Sequence, residues 1–379
     1  MNQPNILLIM NDDMGYSDIG CYGGEVLTPN LDQLAGNGVR FTQFYNTARC
    51  CPTRASILTG LHPHQTGIGW MVTDLDEDGY RGDLNNTCVT IAEVLKLAGY
   101  ATYMSGKWHV SRNQAAGGSK HSWPCQRGFD HYFGILGGAA NYWQPSSLTR
   151  DNELIDLASL PEDFFLTDAI SDEAGNFIRE HAVTDSEVPF FLYTAYSAPH
   201  WPLHAPEEDI RKYQGRFSAG WDRLREERLE RMRTMGIVDE AWPLTKRDWS
   251  QLPWDDASDK AWQERRMEVY AAQIDRMDQG IGRIVAALKE TNQIDNTLIL
   301  FLADNGACAE EFAPAAKPLP SNNPAGITHT RDGKTILRGN DPSIMPGSED
   351  TYQSYGVPWA NLSNTPFREY KHWVHEGGI

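Results

Sequence analysis

Several features that mark large protein classes are scarce in this sequence, and each shortage removes a possibility. No apolar run in its 379 residues approaches the roughly 20 positions a membrane-spanning helix needs. The stretch "NILLIM" at positions 5–10 is too short and wrongly flanked for a signal peptide. A chain without a membrane span is expected, and its cellular address, cytoplasmic or periplasmic, is not encoded in what is given. Cysteine is sparse: Cys21, Cys50, Cys51, Cys88, Cys125 and Cys308 form no CxxC pair and no regular spacing. That argues against a zinc module or a disulfide scaffold and is compatible with a reducing compartment. Basic residues are in deficit, 33 against 51 acidic, and the resulting net charge of -18 opposes attraction to nucleic acid or to an anionic membrane. An anionic substrate would therefore need a locally basic pocket. Charged residues make up only 22% against 40% hydrophobic, which excludes general disorder. There is no internal repeat, and the length fits one large domain.

What is present alternates. "NILLIM" (5–10), "ATYMS" (101–105), "PFFLYTAY" (189–196) and "TLILFLA" (297–303) read as buried strands. Between them lie helical patterns. Thr90 and Glu93 make a capping box with Gly99 as a stop, and 271–290 has amphipathic spacing. The expectation is an α/β fold with a large, mainly parallel sheet covered by helices on both faces. From 207 to 266 the composition turns to dense charge with Trp221, Trp242, Trp249, Trp254 and Trp262, read as a helical insertion with tryptophan anchors or a sugar-stacking surface. The Pro-, Gly-, Asn- and Ser-rich stretch 313–347 reads as an active-site loop.

Ligands in open parallel sheets gather at the carboxyl ends of strands, and all four runs end in chemistry. After the first come Asn11, Asp12 and Asp13; after the second, Lys107 and His109; after the third, His200 and His204; after the fourth, Asp304 and Asn305. Asp12, Asp13, Asp304 and Asn305 supply only oxygen donors, which suit a hard cation such as calcium or magnesium and suit zinc or copper poorly. With Lys107, His109, His200 and Arg54 added, the set describes a pocket for a tetrahedral oxyanion. In "ARCCPTRASILTG", Pro52 suits a first helical turn and sets Cys50 at the helix amino terminus, where negative charge is favoured. A thiolate there is a mismatched ligand for a hard cation, and an oxygen would fit better.

Cys50, Pro52 and Arg54, followed by Leu58, Thr59 and Gly60, resemble the signature of type I sulfatases. In that family the first cysteine is oxidised to formylglycine by a dedicated maturation enzyme. The resemblance extends through "PNILLIMNDDMGYSDIGCYGG", "GKWH", "APHWPLHAP", "ADNGA" and "NTPFREYKHWVHEGGI", and is nearest to the bacterial arylsulfatase branch of the alkaline phosphatase superfamily. It implies calcium held by Asp12, Asp13, Asp304, Asn305 and the formylglycine at Cys50, with Arg54 fixing the aldehyde hydrate. Lys107 would contact sulfate and nucleophile, and His109 would take the hydrate's second proton as the sulfated intermediate collapses. His200 and Lys371 would bind sulfate and assist the leaving alcohol; spacing alone would allow His204 in place of His200. Cys51 is expected to be a small buried filler, and His372 and His375 structural or rim residues.

The implied activity is hydrolysis of sulfate monoesters of aryl or carbohydrate alcohols. The implied partners are a sulfated small molecule or saccharide and the maturation enzyme. Family members usually continue into a smaller antiparallel subdomain, so the expected unit is a catalytic domain, 1–379, shortened at its C-terminus. The alternatives are a formylglycine-dependent phosphonate monoester or phosphodiester hydrolase, and an inactive homologue. A two-zinc phosphatase would need an Asp-His pair where "ADNGACAE" stands.

Overall fold

The computed structural model describes residues 3–185, 187–321 and 327–379. In chain order the main elements are β1 (Asn5–Asn11), α1 (Pro29–Gly36), α2 (Cys50–Thr59), α3 (Ile91–Leu97), β2 (Ala101–Gly106), β3 (His131–Ile135), β4 (Leu148–Arg150), β5 (Glu153–Leu154), α4 (Leu166–Thr184), β6 (Phe190–Ala195), α5 (Glu207–Arg211), α6 (Gly220–Thr234), α7 (Lys260–Glu290), β7 (Thr297–Ala303), β8 (Lys317–Pro318), β9 (Leu337–Arg338), β10 (Thr351–Tyr352) and α8 (Gly356–Ser363). They divide into two compact units. The first comprises Met1–Asn11, Arg49–Ser197 and Gly280–Asp304; the second comprises Asp12–Ala48, Ala198–Gln279 and Asn305–Ile379.

The first unit holds a seven-stranded mixed sheet in the order β5-β4-β3-β2-β6-β1-β7. The five strands from β3 to β7 run parallel, and the short β4 and β5 add an antiparallel edge. Side chains alternate between its faces. Leu8, Met10, Met104, Phe191 and Tyr193 form one cluster with Ala55 and Leu58 of α2 and Ala92 of α3. On the other face Tyr103 stacks on Phe177 of α4, and Ser105 donates to the Ile170 carbonyl of that helix at 2.8 Å. Helices thus cover both faces, as expected. Leu7, Ile9 and Leu192 are fully buried, and each such side chain contributes roughly 1.5–3 kcal/mol over its exposed state.

Local chemistry explains several boundaries. Thr90 accepts from the Glu93 amide at 3.1 Å while Glu93 accepts from the Thr90 amide, closing the capping box of α3. α4 buries Leu166, Ile170, Ala174, Phe177, Ile178 and His181, one stripe at helical spacing. α7 begins eleven residues ahead of the amphipathic run read from sequence, at Lys260. "TLILFLA" is not a buried central strand: β7 is an outer strand of the sheet, and Leu298 and Leu300 are 49% and 41% exposed.

In the second unit, the Asp278 carboxylate of α7 accepts from the Asn30 and Leu31 amides at 3.1 and 2.8 Å, satisfying donors at the start of α1. Arg228 of α6 is buried against Asp18 at 3.0 Å and against Glu25. The tryptophan-rich region 207–266 contains α5, α6 and the start of α7. Its Trp221 packs edge-on against Trp254 and Trp359, Trp254 lies tilted against Trp359, and Trp249 is 96% exposed. Most of these rings therefore anchor packing rather than face solvent. Residues 313–347 supply β8 and β9 of a three-stranded sheet ordered β10-β9-β8, built over Leu319, Ile336 and Tyr352. Positions 322–326 of that stretch lie outside the described residues.

Candidate active site

Each of the four neighbouring parallel strands β2, β6, β1 and β7 ends on backbone bonds that carry the following residues onward. The Lys107 amide donates to Ala195 at 2.7 Å, the His109 amide to Leu136 at 3.2 Å, and the Asp304 amide to Asn11 at 3.2 Å. At three of these ends the chain passes from one unit into the other, between Asn11 and Asp12, Ser197 and Ala198, and Asp304 and Asn305. The expected site residues consequently form two sets.

The first unit carries Cys50, Arg54, Lys107, His109 and Asp304, every one buried. Cys50 is the first residue of α2 and 1% exposed, and Arg54 follows one turn later. The Arg54 guanidinium donates through Nε (3.0 Å) and Nη2 (2.8 Å) to Asp304 Oδ2, and through Nη1 to the Lys107 carbonyl at 2.9 Å. One arginine thus fixes the ends of two strands. Cys50, Cys51 and His109 bring one ligand atom each within 4.8 Å of one another. Cys51 lies in the core with its Sγ 3.7 Å from Met71 Sδ. Burial, followed by its hydrogen bond with Cys50, holds its thiol well above the ordinary range, so it stays protonated.

His109 sits at φ +55°, a backbone conformation rare outside glycine. A side chain at position 138 would put its Cβ 2.2 Å from His109 Nε2, so Gly138 is required for this ring to lie where it does. Gly106, at φ +118°, is required in the same way: a Cβ there would lie 1.9 Å from the Ala195 carbonyl oxygen. Gly138 was not singled out from the sequence.

The second unit carries Asp12, Asp13, His200, Asn305 and Lys371, also buried. Asp13, at φ +67°, is the hub. Its carboxylate faces Lys371 Nζ at 2.9 and 3.1 Å, the Asn305 amide nitrogen at 2.7 Å and His200 Nε2 at 3.4 Å. His200 Nδ1 lies 2.7 Å from the Trp201 carbonyl. A carbonyl only accepts, so this ring nitrogen carries the proton and Nε2 is turned to Lys371 Nζ at 3.4 Å. Gln273, which carried no sequence signal, donates to the His200 carbonyl at 3.3 Å.

The two histidines of "HWPLH" are thereby distinguished. His204 is fully buried, its Nε2 meets the Thr351 carbonyl at 2.6 Å, and burial lowers it to about 4, which keeps it neutral. His372 pairs with Glu310 at 2.9 Å, and His375 lies 3.2 Å from Glu376.

The second set fits a hard cation. Asp12, Asp13 and His200 offer ligand atoms within 4.8 Å of one another. The Asn305 amide is oriented by donating to Asp13 and to the Gly306 carbonyl at 2.9 Å, and its buried Oδ1 accepts no hydrogen bond among the described residues. A buried amide oxygen beside two carboxylates is the donor chemistry calcium prefers. Such an ion would share Asp13 with Lys371.

Strand-end carboxylates, an oriented amide, buried lysines and histidines, and a cysteine opening a helix define a class of enzymes that act on esters of tetrahedral oxyanions. Comparison makes the class specific. The sulfatase profile matches residues 4–373, and the chain belongs to the sulfatase family, enzymes that hydrolyse sulfuric esters. It is 34% identical to an arylsulfatase of Klebsiella aerogenes over 397 residues, covering 100% of this chain and 79% of that protein. It is 30% identical to N-acetylgalactosamine-6-sulfatase of Sus scrofa over 343 residues, covering 85% of this chain and 53% of that one. Among solved structures it resembles Ps i-CgsB in complex with k-i-k-neocarrahexaose, with a TM-score of 0.58 and 30% identity. That match covers 80% of this chain and 59% of the other, so the chain spans about three-fifths of that structure.

Proposed function

We propose that this protein hydrolyses sulfate monoesters of aryl or carbohydrate alcohols, with Cys50 converted to formylglycine and calcium held by Asp12, Asp13, Asp304, Asn305 and residue 50. The observation that carries the reading is the fixation of Asp304 by Arg54, one turn from Cys50, in a chain whose next residue, Asn305, orients its amide on Asp13.

Formylglycine supplies, as its hydrate, an oxygen nucleophile with a second hydroxyl whose deprotonation restores the aldehyde. Calcium, when bound, offsets negative charge on the group being transferred. The remaining work falls to the chain's own residues. Arg54 commits Asp304 Oδ2 to an ion pair and so sets the carboxylate's orientation. Lys107 and Lys371 bring ammonium groups to a sulfate, where buried charges act strongly. His109 is the base of the first unit, held in its strained conformation against Gly138. Nδ1 of His200 is fixed by the Trp201 carbonyl and Nε2 lies beside the Lys371 ammonium, so the departing alcohol takes its proton from Lys371, directly or through Nε2. Cys50 is buried in the folded chain, so the maturation enzyme reaches it before folding is complete.

The test is sulfate release from aryl and sugar sulfates by protein coexpressed with a formylglycine-generating enzyme, run beside aryl phosphonate and phosphodiester substrates. Release of sulfate as the fastest reaction supports the assignment. Faster cleavage of the phosphorus esters transfers it to the phosphonate and phosphodiester class.

A further inference from the structure

A cavity of about 370 Å³ in the second unit is lined by Ala309, Glu310, Tyr370, Lys371, His372 and Trp373. Lys371 is the side chain assigned to sulfate above, so what lies beside it is what meets the rest of the substrate. The lining's acidic group is Glu310, whose Oε2 accepts from Trp201 Nε1 at 2.7 Å and whose Oε1 meets His372 Nε2 at 2.9 Å. The Trp201 ring packs against His200, centroids 4.3 Å apart, so the same carboxylate is tied to the residue assigned to the leaving alcohol. His372 is held at φ +86°, and its amide donates to the Ala48 carbonyl at 2.8 Å. The apolar element is Trp373, 55% exposed, an indole presented to solvent at a cavity wall rather than packed in a core.

We propose that this cavity is the leaving-group subsite and that it selects a neutral saccharide carrying a single sulfate, with the pyranose ring on Trp373 and ring hydroxyls donating to Glu310. The inference rests on the sulfatase reading and adds the substrate class. An indole takes the C–H face of a sugar, and an ionised carboxylate accepts hydrogen bonds only, which suits hydroxyl donors. A uronate or a second sulfate at the same place would set like charge against Glu310 and leave it poorly paired. An aryl sulfate has no hydroxyls to offer, so it would engage Lys371 without using Glu310.

The experiment measures kcat/KM of matured wild type, Trp373→Ala and Glu310→Gln on 4-nitrophenyl sulfate, on monosulfated galactose, glucose and N-acetylgalactosamine, and on sulfated disaccharides containing a uronate. The expected result is preference for a neutral monosulfated sugar, with Trp373→Ala losing about tenfold on that sugar and Glu310→Gln losing about tenfold more on it than on the aryl ester, mainly through KM. Glu310→Gln should also narrow the gap between neutral and uronate-bearing substrates. Equal losses of Glu310→Gln on sugar and aryl ester, unchanged sugar kinetics in Trp373→Ala, or a wild-type preference for the uronate substrates would each overturn the subsite while leaving the sulfatase reading intact. Absence of sulfate release from every ester by wild type would overturn the reading itself and the subsite with it. Trp373 is half exposed, so its removal does not threaten the fold.

Discussion

Replacing Arg54 by alanine tests whether one buried arginine organises the first unit's set. Neither Arg54 nor Asp304 has exposed side-chain surface, and the guanidinium spends three donors on two acceptors, Asp304 Oδ2 and the Lys107 carbonyl. Taking away one partner of such a pair leaves a buried carboxylate uncompensated, which costs about 3–5 kcal/mol, most of it the penalty of the stranded charge rather than the worth of the pair. At about 2–4 °C per kcal/mol for chains of a few hundred residues, the melting temperature should fall by at least about 6 °C. Thermal unfolding followed by circular dichroism would read this, in excess chelator so that a divalent ion does not stand in for the lost guanidinium. Arg54→Lys, whose single ammonium cannot reach both acceptors, should lose less. The double variant Arg54→Leu/Asp304→Leu should recover much of the loss, because no buried charge is left alone. A shift below about 1 °C for Arg54→Ala, or a double variant no better than the single, would refute the argument that this is a desolvated, mutually dependent pair.

Four further outcomes follow from the same geometry. Lys371→Ala should lower kcat by about 10²-fold or more, since it removes the ammonium from both Asp13 and His200 Nε2; steady-state kinetics on an aryl sulfate would show it, and a change confined to KM would contradict it. His204 has a folded value of about 4 against an ordinary 6.5, so the unfolded chain takes up its proton first as pH falls. Stability from this residue is therefore complete above about 6.5 and declines toward about 4, by about 3 kcal/mol in all, and His204→Gln should flatten the dependence of melting temperature on pH across that window. Folded, unmodified protein incubated with the maturation enzyme should gain no aldehyde, whereas coexpressed protein should; peptide mass spectrometry distinguishes them. Exhaustive chelation should suppress sulfate release and calcium should restore it, and full activity without metal would remove calcium from the assignment.

How much of this was legible beforehand depends on the range of the interaction involved. β1 and β6 announce themselves because strands buried on both faces are nearly continuous apolar runs, and the capping box of α3 lies within four residues. β7 carries the same kind of run but lies at the edge of the sheet, a position that hydrophobicity alone does not encode. β3, β4 and β5 are short, and β4 and β5 contain charged or polar residues, so they gave no signal. The first eleven residues of α7 were hidden because "KAWQERRMEVY" mixes charges with residues that become buried only through long-range packing.

The site follows the same rule. Residue types at strand ends point to a hard cation and an oxyanion, but the roles of individual groups depend on contacts far apart in sequence. Arg54 and Asp304 are 250 positions apart. His200 and His204 look alike in "HWPLH" and differ only because one faces Lys371 and Asp13 while the other is sealed against Thr351. Gly138 could be assigned only once the His109 ring was seen against it.

The most direct measurement pairs peptide mass spectrometry of residue 50 with sulfate release across preparations matured to different extents. The activity should rise in proportion to the fraction carrying an aldehyde or its hydrate in place of CH₂–SH, and Cys50→Ala should release nothing while keeping its circular dichroism. Undiminished sulfate release from protein whose residue 50 is entirely thiol, or from Cys50→Ala, would contradict the assignment.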